Sequence, residues 1–140
     1  MLQVNGLSGG YNGKSIVKNV TFHVKKGRIL GILGPNGSGK STLLKMISGI
    51  LHPTAGEVLI EQQPIKSYDM KQLAKKMAVL PQLNASTFSN RVYDAVSLGR
   101  YPHQTGFFSS WSEHDEQMVQ QAMDSTGVSQ YKEHYLEFLS

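Results

Sequence analysis

Residues 27–45 read Gly27-Arg28-Ile29-Leu30-Gly31-Ile32-Leu33-Gly34-Pro35-Asn36-Gly37-Ser38-Gly39-Lys40-Ser41-Thr42-Leu43-Leu44-Lys45, and this stretch decides the fold. Its first part, residues 28–33, is a short and nearly continuous apolar run, the pattern of a strand buried on both faces. Beyond it, Leu43, Leu44, Ile47 and Ile50 recur at helical spacing, and Gly49 stands near the expected helix end. Between the two, residues 34–41 satisfy G-x-x-x-x-G-K-[ST] at every fixed position. A Gly-rich turn joining strand to helix has no need of Lys-Ser after its last glycine, so the order strand, loop, helix supports the motif.

The spacing has a physical reason. A loop that holds a phosphate must curl until successive backbone N–H groups point inward. Gly34, Gly37 and Gly39 allow that curl and keep side chains out of the way, while Pro35, Asn36 and Ser38 complete the loop. The helix that follows aims its positive dipole end at the same place. Lys40 supplies a point charge for β- and γ-phosphates, the Ser41 hydroxyl is a ligand for Mg²⁺, and Thr42 donates on the α-phosphate side.

Working outward, residues 2–7 alternate weakly and read as a first strand, and residues 16–24 read more clearly as a second, with Val20, Phe22 and Val24 on one face. Pro53-Thr54-Ala55-Gly56 signals a turn before a short strand over residues 58–60. Residues 69–77 read as a helix through Met70, Leu73, Ala74 and Met77, and residues 78–80 as a strand stopped by Pro81. Val92, Ala95, Val96 and Leu98 suggest an amphipathic helix, and residues 101–111 a loop rich in Gly, Ser, His and aromatics. Ser112 then has the position of an N-cap, with Asp115 three residues on; Met118, Val119, Ala122 and Met123 give the helix its core face, and Gly127 its end.

Composition bounds the rest. The chain has 140 residues, room for one compact domain, and no apolar run long enough to cross a bilayer. Its first residues lack the basic start and apolar core of a signal peptide. Absence of cysteine excludes a disulfide scaffold and a thiolate zinc site, and a cytoplasmic location fits. The net charge of +4 suits an anionic ligand, but the basic residues are dispersed and form no aromatic-interleaved stripe of the kind that binds nucleic acid. Among five histidines, His103 and His114 lack a third ligand for a metal site.

The form Gly-Pro-Asn-Gly-Ser-Gly-Lys-Ser-Thr at residues 34–42 resembles ABC-type ATPases, and the resemblance extends over essentially the whole chain. It implies an α/β phosphate-loop NTPase with an N-terminal antiparallel β part and a partial α-helical subdomain. The implied division is a nucleotide-binding core over residues 1–83 and the start of a helical subdomain over residues 84–140. Tyr11, after Gly10, sits where that family stacks an aromatic on adenine. Ala78-Val79-Leu80-Pro81-Gln82 resembles its Q-loop, in which Gln82 would reach Mg²⁺ and the attacking water. The stretch Leu98-Gly99-Arg100-Tyr101-Pro102-His103 resembles importers of iron–siderophore complexes, haem and cobalamin. The implied cofactors are ATP and Mg²⁺. The implied partners are transmembrane permease subunits, a second ATP-binding subunit and, indirectly, a substrate-binding protein, with no nucleic acid. The implied place is the cytoplasmic face of the membrane.

The family also requires a Leu-Ser-Gly-Gly signature, an apolar strand ending in Asp-Glu, and a later switch histidine. The chain ends Leu139-Ser140, which looks like the opening of the signature, so it is expected to be a truncated portion that binds ATP without turning it over. Three matches elsewhere are read as accidental. Leu7-Ser8-Gly9-Gly10 ends a strand rather than opening a helix, Val58-Leu59-Ile60-Glu61 comes too soon after the loop, and Asp124-Ser125-Thr126-Gly127 fits a helix terminus. The competing expectations are a non-enzymatic fragment acting through protein contacts over residues 101–111, and a soluble ABC-type ATPase of DNA repair or translation. A small-molecule kinase fits less well, because a strand pair and Tyr11 precede the loop.

Overall fold

The computed structural model describes residues 1–80, 90–104 and 111–139. They fall into two compact units, Met1–Val79 and Leu80–Ser140. In the first, β1 (Leu2–Tyr11) and β2 (Lys14–Val24) form a hairpin closed by Asn12-Gly13, the two-residue pair whose twist suits antiparallel strands. β3 (Ala55–Ile60) pairs antiparallel with the other side of β1, and the two-residue β4 (Gln63–Pro64) closes a four-stranded sheet of order β2-β1-β3-β4.

The helix α1 (Lys40–Ile47) packs on this sheet. Val4, Leu7 and Val17 of the hairpin and Val58 of β3 meet Leu43, Met46 and Ile47 of α1 in one apolar cluster. Residues 43, 46 and 47 share a helix face by the i, i+3, i+4 rule, which is why these three are buried. Gly9 makes the approach possible: a Cβ there would lie 2.6 Å from Met46 Sδ. Met46 is fully buried, a contribution of about 1.5–3 kcal/mol.

Several sequence expectations are corrected here. Residues 28–33 form no strand, and Ile29 and Leu33 are 100% and 95% exposed. Residues 78–80 likewise form none, and Leu80 is exposed. An apolar run supplies strand propensity, but a strand exists only where a neighbour takes up its N–H and C=O groups, and among the described residues none pairs with either run. Leu44, expected on the apolar face of α1, is exposed because the helix turns Met46 inward instead, and Ile50 lies past the helix end and is exposed as well. The helix expected over 69–77 shortens to α2 (Met70–Ala74), started by an Asp69–Gln72 capping box, and its Met70 is exposed.

In the second unit, α3 (Val92–Ser97) runs into a 3-10 turn, Leu98–His103, so the expected loop begins as helix at residues 101–103; residues 105–110 lie outside the described residues. α4 (Glu113–Thr126) starts at the Ser112–Asp115 capping box and stops at Gly127, whose φ of 71° closes the helix. This makes residues 124–127 a helix terminus, as the sequence suggests. Val92, Val119 and Met123 form the core, joined by Tyr93, Val96, Val128 and Leu136. Of the four residues expected on the core face of α4, Val119 and Met123 are buried, Met118 is half-buried and Ala122 is exposed. Leu98, expected on the apolar face of α3, is exposed on the following turn.

Candidate functional site

The loop that leads into α1 is curled, and its own lysine holds it. The Lys40 ammonium donates to the carbonyls of Gly34, at 2.7 Å, and Pro35, at 2.8 Å, while the Ser38 N–H donates to Pro35 O at 3.3 Å. Both partners are neutral carbonyls, and among the described residues no carboxylate pairs with the Lys40 ammonium. Gly37 and Gly39 have φ of 80° and 94°, the left-handed region that a side chain strains. A Cβ at Gly39 would also lie 3.0 Å from Ile16 Cγ2, because β2 packs against the base of the loop.

At the start of α1 no side chain caps the free N–H groups and the first turn holds no acidic residue. This is the arrangement that leaves a helix N-terminus ready for phosphate. Ser41 is exposed on that first turn, Thr42 is buried next to it, and Gly34, Pro35, Asn36, Gly37 and Ser38 are all exposed around the curl. The residues present therefore fit a polyphosphate with its Mg²⁺: backbone amides, an ammonium with no carboxylate partner among the described residues and an exposed hydroxyl stand together at residues 34–41.

Tyr11 ends β1 and is 40% exposed. The Lys45 ammonium lies 5.8 Å from its ring centroid, which brings the aromatic alongside α1, the helix that opens at the loop. Gln82 lies outside the described residues. Leu7-Ser8-Gly9-Gly10 is inside β1 and paired on both sides, Leu7 to Val20 and Ser8 to Ala55, so it cannot open a helix. Glu61 sits in the turn after β3, paired with Lys76 at 2.6 Å. Among the described residues no three His, Asp or Glu gather as a metal site, and no helix is long and apolar enough to cross a membrane.

The second unit carries a polar cluster that sequence reasoning saw only in part. Asp115 caps α4, as its spacing from Ser112 predicts, and its carboxylate also accepts from Arg100 Nε at 2.8 Å. The hydroxyl of Ser112 and then the Arg100 guanidinium hold the Asp115 carboxyl down to about 2. No spacing rule links positions 100 and 115; only folding brings them together. Nearby, Glu116 accepts from Tyr93, from Trp111 Nε1 at 3.1 Å and from Lys132 at 3.4 Å. The Tyr93 bond pulls the Glu116 carboxyl below its usual range and pushes the Tyr93 phenol up.

A curled glycine loop closed by its own lysine, feeding a helix packed on an antiparallel sheet, defines a phosphate-loop nucleotide-binding protein. Residues 17–140 match the family model described as ABC transporter, and the chain belongs to that family. An uncharacterised ABC transporter ATP-binding protein of Bacillus subtilis, YvrA, is 44% identical over 99% of this chain and 31% of that protein. The petrobactin import ATP-binding protein FpuD of Bacillus anthracis is 39% identical over 99% of this chain and 50% of that protein. Among solved structures, a metal-chelate type ABC transporter in an inward-facing conformation superposes with a TM-score of 0.78 at 31% identity, over 99% of this chain and 49% of that one. The fold class is that of ABC ATPase domains, and the chain spans half or less of the length of these relatives.

Proposed function

We propose that this chain is the nucleotide-binding portion of the ATPase subunit of an ABC importer that takes up an iron complex or a related chelate. The observation that carries the reading is the Lys40 ammonium drawn onto the Gly34 and Pro35 carbonyls beside the uncapped start of α1. In it, the loop of residues 34–42 holds the polyphosphate through its backbone N–H groups, Pro35 having none, Lys40 neutralises β- and γ-phosphate charge, Ser41 ligates Mg²⁺, and Thr42 donates on the α-phosphate side. Tyr11 stacks on adenine, and Gln82 reaches the metal and the attacking water. Mg²⁺, when bound, supplies further charge neutralisation at the phosphates. Catalysis in such a site is mostly positioning and electrostatic stabilisation.

The chelate is inferred from two supports: the FpuD relative named for petrobactin import together with the metal-chelate type neighbour, and the Leu98-Gly99-Arg100-Tyr101-Pro102-His103 stretch. The same reading assigns a transmembrane permease and a second ATP-binding subunit as partners, a substrate-binding protein further out, and a peripheral position on the cytoplasmic face of the membrane. It divides the chain into a nucleotide-binding core over 1–83 and the beginning of a helical subdomain over 84–140; the boundary between compact units at Val79 and Leu80 supports that division.

Titration of the chain with a fluorescent ATP analogue in the presence of Mg²⁺ tests the site. Lys40→Ala should weaken binding at least about tenfold, or ~1.4 kcal/mol. Unchanged affinity, with the circular dichroism of the parent retained, rejects the assignment.

A further inference from the structure

We propose that Lys45 is a positioning residue for Tyr11, setting the ring as a platform for the nucleotide base; this rests on the stacking reading of Tyr11 above. The backbone on either side of the pair is already fixed. Gly9, two residues before Tyr11, touches Met46, the residue after Lys45, so closely that a Cβ would stand 2.6 Å from its sulfur. Gly10 has its hairpin partner so near that a Cβ would lie 2.0 Å from the Lys14 carbonyl. On the helix side, the Lys45 carbonyl accepts from Leu51 N–H at 2.9 Å and Ser48 Oγ at 3.1 Å. The Tyr11 side chain is 40% exposed, and the Lys45 ammonium stands over its ring, 5.8 Å from the centroid.

The charge of Lys45 is available for this. Among the described residues no carboxylate lies within ion-pair distance of it, whereas Lys76, Arg91, Arg100 and Lys132 are all paired. A cation over one face of an aromatic ring is attracted by the ring quadrupole and favours the orientation that presents that face. The same cation draws electron density away from the opposite face, which suits stacking against an electron-rich purine. Lys45 lies five residues beyond Lys40 on one helix, a rise of about 7.5 Å, so ring and phosphate loop are held by a single rigid element.

The test separates the base from the phosphates. Binding of ATP and of inorganic triphosphate is measured, with Mg²⁺, for the parent chain, Lys45→Met, Lys45→Arg, Tyr11→Ala and the double variant Tyr11→Ala/Lys45→Met. Lys45→Met should weaken ATP about two- to fivefold and leave inorganic triphosphate unchanged, Lys45→Arg should retain parent affinity, and Lys45→Met should add nothing once Tyr11 is Ala. If Lys45→Met weakens inorganic triphosphate as much as ATP, or still weakens ATP in the Tyr11→Ala background, Lys45 acts as a diffuse charge and the proposal fails. If Tyr11→Ala weakens ATP alone while Lys45→Met does not, the stacking stands and the role of Lys45 falls. If Tyr11→Ala leaves the ratio of ATP to triphosphate affinity unchanged, the stacking itself falls, and this proposal with it.

Discussion

Two residues show how one side chain can serve several partners. Lys40 bridges two carbonyls of its own loop, which draws the curl together and, in the proposed reading, sets its charge beside the polyphosphate. Asp115 accepts from the Ser112 amide, the Ser112 hydroxyl and Arg100, so it caps α4 and fastens the Leu98–His103 turn to it. Its folded pKa lies below the ordinary 3.8, near about 2. The stabilisation from its charged form is thus complete above the ordinary value and is lost as pH falls through the folded one. Urea denaturation of the parent chain should show a declining midpoint between about pH 4 and pH 2, and Asp115→Asn should lower the midpoint at pH 7 and flatten that decline. A parent and variant with parallel pH profiles would refute this.

At the scale of elements, caps and packing divide the labour. α2 and α4 start at capping boxes, whereas α1, like the six-residue α3, starts with no side-chain acceptor, and the first turn of α1 holds no acidic residue either. The core face of α4 reduces to Val119 and Met123. Met123 is fully buried, so Met123→Ala should cost about 2–5 kcal/mol through lost contacts and the cavity left behind. Met70 on α2 is 86% exposed, and Met70→Ala should change stability by less than about 0.5 kcal/mol. Equilibrium denaturation of both variants checks the contrast; equal costs would contradict the packing described.

At the scale of the molecule, the most consequential feature is the apolar run at residues 28–33. Ile29 and Leu33 are almost wholly exposed, and the backbone of the run has no strand partner among the described residues. Exposed apolar side chains on an unpaired, strand-prone segment favour association. The chain should self-associate at micromolar concentration, and Ile29→Lys/Leu33→Lys should shift it toward monomer in sedimentation velocity; the same distribution for both would exclude this segment as the cause. The run also marks where sequence reasoning stops. The sequence by itself determined the curled glycine loop before α1, the Ser112 cap and the Gly127 stop, because each depends on neighbours within a few residues. Only the tertiary structure decided that α1 buries Met46 and exposes Leu44, that Arg100 meets Asp115, that Lys45 meets Tyr11, and that residues 28–33 are not a strand. Each of these turns on a partner distant in sequence or on its absence among the described residues, and local pattern carries no information about which distant group arrives.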